Sequence, residues 1–85
     1  MKFLFHTTVS ISGQLGYYNV NEIEPGKYQA ELLDSDNTQN EFTPELIIWK
    51  ENGAWKTEKA PDVFIAERIG EDIERYLSLY MSPIS

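Results

Sequence analysis

The sequence predicts an α+β fold: an antiparallel β-meander of four to five strands with one C-terminal helix packed across one face. Three observations lead there. Residues alternate with a period of two from Phe3 to Ile11 and again from Tyr28 to Leu32, which is the spacing of a half-buried strand. Tight-turn sequences, Ser12-Gly13, Pro25-Gly26 and Asn52-Gly53, stand between such stretches, and tight turns join antiparallel neighbours. From Pro61 onward the apolar spacing becomes helical. A run of strands followed by a helix is an α+β order, not the alternation of a parallel sheet. The 85 residues make a single domain, 1–85, with room for one core.

The first strand lies in MKFLFHTTVSISG. Its apolar run, Phe3 to Phe5, is shorter than the core of a secretory signal, so Met1 is expected to begin the mature protein. Alternation puts Phe3, Phe5, Thr7, Val9 and Ile11 on one side and His6, Thr8 and Ser10 on the other. A two-residue Ser12-Gly13 loop then sets Phe5 against Val20, Thr7 against Tyr18 and His6 against Asn19.

Glu24-Pro25-Gly26-Lys27 has the chemistry of a type II turn: proline presets φ at the second position and glycine accepts positive φ at the third. A strict register from this turn would place Glu31 beside Val20, so a bulge or a longer loop is expected instead. The third strand follows, with Tyr28, Ala30 and Leu32 alternating with Gln29 and Glu31. Asp34 to Phe42 is polar and turn-rich. Asn52-Gly53 then marks a type I′ hairpin pairing Trp49 with Lys56 and Lys50 with Trp55, each lysine stem able to cover an indole.

The helix is read over 61–81, with Pro61 in its first turn and Asp62 near its positive end. Ile65, Ile69, Ile73, Tyr76, Leu77 and Tyr80 form its apolar stripe. Arg68 and Asp72, and Glu71 and Arg75, stand at i,i+4. Gly70 weakens the helix but permits close approach to the sheet.

Composition narrows function. The net charge is −7, and most of it lies in one segment: Glu22, Glu24, Glu31, Asp34, Asp36, Glu41 and Glu45 stand against Lys27 alone. Such a surface repels nucleic acid and anionic lipid and steers a basic partner. No apolar run is long enough to cross a membrane. The absence of cysteine removes thiolate chemistry and disulfides and favours a cytoplasmic setting. No phosphate loop, serine elbow or histidine cluster stands in the chain, so no catalytic residue is assigned. His6, the lone histidine, has no partner at a readable spacing.

Asp34, Asp36, Thr38, Asn40 and Glu45 fall at the oxygen-ligand positions of a calcium loop. Gln39 then stands where the sharp turn needs glycine, and the flanks read as strands, so no metal or cofactor is assigned. Cation or small-ligand binding at 34–45 is an alternative function, and nucleic-acid mimicry by the acidic segment is another. The leading expectation comes from the aromatics. Tyr17, Tyr18, Tyr28, Trp49 and Trp55 fall on both sheet faces, and one helix covers only one. The uncovered set would bind a protein partner or a second copy, as exposed aromatic patches do.

Overall fold

The computed structural model describes residues 1–35, 42–59 and 62–80, with Tyr80 as backbone only. Five strands form one antiparallel sheet in the order β1-β2-β3-β4-β5: β1 Lys2–Ile11, β2 Gln14–Glu24, β3 Lys27–Ser35, β4 Glu45–Glu51 and β5 Ala54–Thr57. Helix α1, Val63–Tyr80, touches β5, β4 and the opposite edge strand β1. At 1.5 Å per residue the helix is about 27 Å long, enough to lie diagonally across four strand spacings, roughly 19 Å. The meander with a helix on one face is therefore the observed architecture.

The turn chemistry sets the register. Ser12 and Gly13 both have positive φ, as do Asn52 and Gly53, which is the type I′ geometry that matches strand twist. Thr7 stands opposite Tyr18, and Trp49 and Lys50 stand opposite Lys56 and Trp55. The expected irregularity after Pro25-Gly26 is a bulge at Ile23: the register shifts between Glu22 and Glu24 and brings Val20 opposite Ala30. The bulge thus keeps Glu31 off the core face.

A second bulge corrects the sequence reading of β1. The register shifts between Phe3 and Phe5, so Leu4 and Phe5 both pack on the core while Phe3 turns to the other face. Phe3 is half exposed, with its ring 5.0 Å from that of His6. An extra residue inverts alternation beyond it, which period-two reading cannot foresee.

The core lies between sheet and helix. Val9, Tyr18, Val20, Tyr28, Ala30, Leu46 and Ile48 from the sheet meet Ile65, Ala66, Ile69 and Ile73 from the helix. Trp55 fits against Gly70, where an added Cβ would lie 2.3 Å from the indole. Tyr18 donates to the backbone oxygen of Thr43 at 2.8 Å, and the Thr43 hydroxyl donates to Asp62 just before the helix. These bonds satisfy polar groups that burial would otherwise penalise.

The stripe Ile65, Ile69, Ile73 and Leu77 faces the core as expected, and Tyr76 stacks on Phe5 at 5.2 Å. Pro61 and the side chain of Tyr80 lie outside the described residues. The surface ion pairs differ from the i,i+4 expectation. Arg68 pairs with Glu71 at 3.4 Å and Arg75 with Asp72 at 3.0 Å, both at i,i+3. Asp72 accepts a hydrogen bond from the Thr7 hydroxyl. That draws its carboxylate toward β1 and away from Arg68. Among the described residues, no helix is long and apolar enough to cross a membrane.

Candidate functional site

Because side chains alternate across a strand, the residues between the core positions form the opposite face of the sheet. There, His6, Asn19, Glu31 and Glu45 stand in one row across β1 to β4. Asn21, Gln29 and Ile47 form the next row, and Lys27, Trp49 and Lys56 the one after. No described element packs on this face.

A chain of amides crosses its centre. Asn21 Nδ2 donates to Gln29 Oε1 at 3.0 Å, and Gln29 Nε2 donates to a Glu45 carboxylate oxygen. Gln29 is buried by its neighbours although no described element covers the face. Glu31 and Glu45 are direct cross-strand partners, and like charges in that position repel. Beside them Ile47 and Trp49 line a groove of about 440 Å³ together with Lys27 and Glu58. The register places Glu24, Asp34 and Glu51 around the margin of the same face. The sheet thus presents a polar centre, a half-buried indole and a carboxylate border.

The five aromatics singled out from sequence divide cleanly. Tyr18, Tyr28 and Trp55 are 0%, 4% and 9% exposed and belong to the core, on the helix side of the sheet. Burial raises the Tyr18 hydroxyl well above the ordinary tyrosine range, with the Asp62 charge adding to it. Tyr28 is raised too, by burial and then by Glu22. Tyr17, on the other hand, is 37% exposed, and Trp49 is half-buried on the uncovered face. Which set is core depends on the face the helix takes, and alternation alone is blind to that.

Among the acidic residues, Glu24, Glu31, Asp34 and Glu45 share the uncovered face. Glu22 lies on the helix side, opposite Tyr28 and Lys2. Asp36 and Glu41 lie outside the described residues, as do Thr38 and Asn40 of the possible calcium loop. Asp34 accepts from the backbone of Ser35 at 2.8 Å. Among the described residues, no three acids or histidines gather at metal-binding distance.

A second, shallower groove of about 230 Å³ runs between β1 and the end of the helix, lined by Phe5, His6, Thr7, Asp72, Arg75, Tyr76 and Leu79. The hydroxyl of Thr7 donates to one Asp72 oxygen, and Arg75 binds the other. The carboxylate is thereby committed to structure, while the His6 ring lies against Phe3.

One cluster escaped the sequence reading. Glu74 accepts from the Trp55 indole at 2.6 Å and from Lys50 at 2.9 Å, with the Lys50 ammonium 5.8 Å from the indole ring. These bonds hold the Glu74 carboxyl below its usual range. The Lys50–Trp55 pairing was legible from the hairpin, but the carboxylate arrives from the helix. No protein family, curated protein or solved structure matches the chain.

Proposed function

We propose that this chain is a non-enzymatic protein-interaction module that binds a basic protein through the sheet face opposite the helix. The observation that carries the reading is the makeup of that face, with the Trp49 groove next to the Glu31–Glu45 pair and carboxylates at its margin. A half-buried indole in a groove is the kind of anchor that dominates interface energy. Two facing carboxylates repel each other in the free protein, and a lysine or arginine from the partner relieves that repulsion. The charge of −7 steers such a partner before contact. Tyr17 and Phe3 extend the contact toward β1.

The test begins with capture on immobilised protein from the cells that make it, followed by calorimetry on the purified partner. A basic partner is expected, with binding that weakens as salt rises. Trp49→Ala should weaken it by about 2 kcal/mol or more. The double substitution Glu31→Gln, Glu45→Gln should weaken it and flatten the salt dependence, while Glu71→Gln on the helix leaves it unchanged. An acidic partner, or binding indifferent to all three open-face changes, refutes the reading.

A further inference from the structure

β1 is an edge strand of ten residues whose outer side pairs with no described segment. Proteins usually blunt such an edge with proline, charge, a bulge or a short length, because its unpaired backbone groups template another strand. The other edge, β5, is blunted by its length of four residues. In β1 the only charge is Lys2, set apart from the rest by the Leu4 bulge, and proline is absent. Seven consecutive residues without an acid, lysine or arginine, Phe5 to Ile11, are left as a regular edge.

The hairpin geometry says which groups point outward. In the two-residue turn Ile11 and Gln14 bond each other. Bonded and non-bonded pairs alternate along an antiparallel ladder, so Val9, Thr7 and Phe5 also bond β2. The N–H and C=O of His6, Thr8 and Ser10 therefore point away from the sheet. All three residues are exposed.

We propose that two copies of this chain join edge to edge through β1, antiparallel, about a two-fold axis at Thr8. In that register Thr8 pairs with the partner's Thr8, and His6 pairs with the partner's Ser10. Every outward backbone group of the three residues then finds a bond. Phe5 comes to stand opposite the partner's Ile11, beside the groove formed by Phe5, Tyr76 and the largely exposed Leu79.

Charge selects a second copy for this edge and not for the open face. Two chains of −7 repel over most of their surfaces, but β1 contains no acid, whereas β2, β3, β4 and α1 each contain at least two. The two-fold axis of antiparallel edge pairing is normal to the sheet. Both helices therefore lie on one side of a ten-stranded sheet and both open faces on the other. The dimer would present the surface of the proposed function twice, which raises avidity for a partner with two basic patches. Edge pairing does not depend on that function, and the test separates the two.

Mass in solution is measured by size exclusion with light scattering across roughly two decades of concentration. The wild type is expected to reach about twice 9.8 kDa. Thr8→Pro removes an outward donor that no bond among the described residues uses, and Thr8→Lys places two ammonium groups side by side at the axis. Each should raise the dimer dissociation constant by about 30-fold or more, with urea unfolding showing an intact monomer. If Thr8→Pro fails to fold, Thr8→Lys alone decides. Trp49→Ala should remain dimeric even where it abolishes binding of a basic partner. A monomeric wild type at every concentration, a Thr8→Lys variant as dimeric as wild type, or a dimer lost in Trp49→Ala overturns the proposal.

Discussion

Replacing Gly70 with alanine sets two effects of opposite sign against each other. In an exposed helix the change stabilises by about 1 kcal/mol, because glycine has the greater backbone freedom to lose. In this helix the new Cβ would lie 2.3, 2.4 and 2.5 Å from three atoms of the Trp55 indole, where carbon atoms prefer about 3.5–4.0 Å. The indole must therefore shift by more than 1 Å. Overpacking of this kind costs about 1–3 kcal/mol. The shift also disturbs the bond from Trp55 to Glu74, 2.6 Å in the wild type, at a further cost of about 1 kcal/mol for a half-exposed acceptor. The losses exceed the propensity gain, and a net destabilisation of about 2 kcal/mol is expected. For a domain of this size that lowers Tm by about 8–16 °C. Urea and thermal unfolding, followed by circular dichroism and tryptophan fluorescence, measure it. In a Trp55→Ala background the clashing atoms are gone and the same substitution should stabilise by about 1 kcal/mol. A Gly70→Ala variant as stable as the wild type, or a loss unchanged without the indole, refutes the packing argument.

The buried tyrosines give a prediction for alkaline solution. Tyr18 and Tyr28 are raised above the ordinary value of 10.0, so the native state holds their protons when the unfolded chain has released them. The stability they confer is intact below pH 10.0 and declines as pH rises beyond it. Ultraviolet titration should find these two ionising only as the protein unfolds, and Tyr18→Phe should lessen the decline; early ionisation of all five tyrosines would contradict their burial. Acid acts through Glu74, whose folded value is lowered by Lys50 and Trp55 from 4.5. Its contribution is full above that value and is lost as pH falls through the lower folded one. Glu74 is about half exposed, so Glu74→Gln should flatten the acid limb of a stability–pH curve by only a few tenths of a kcal/mol. A larger change would show a more enclosed pair than the structure has.

What the sequence determined by itself was local. Asn52-Gly53 specified a type I′ hairpin and Ser12-Gly13 a two-residue one, each with its register, since few residues accept positive φ at successive positions. The conflict between Glu31 and Val20 called for a bulge or a longer loop, because a one-residue slip would have placed a charge in the core, and the bulge at Ile23 is the outcome. The isoleucine stripe identified the inner face of the helix.

Tertiary structure alone decided where those pieces point. Tyr17 and Tyr18 are neighbours, and alternation says only that they part company. The helix packs over Tyr18, Tyr28 and Trp55, which makes them core and leaves Tyr17 and Trp49 on the other side. The Leu4 bulge, which sends Phe3 to that side too, carries no turn residue to announce it. The Glu74 contact with Trp55, like the bond from Thr7 to Asp72, joins residues far apart in the chain. Periodicity reports on spacing along one element, whereas burial depends on which element arrives to cover it, and that is settled only when the whole chain packs.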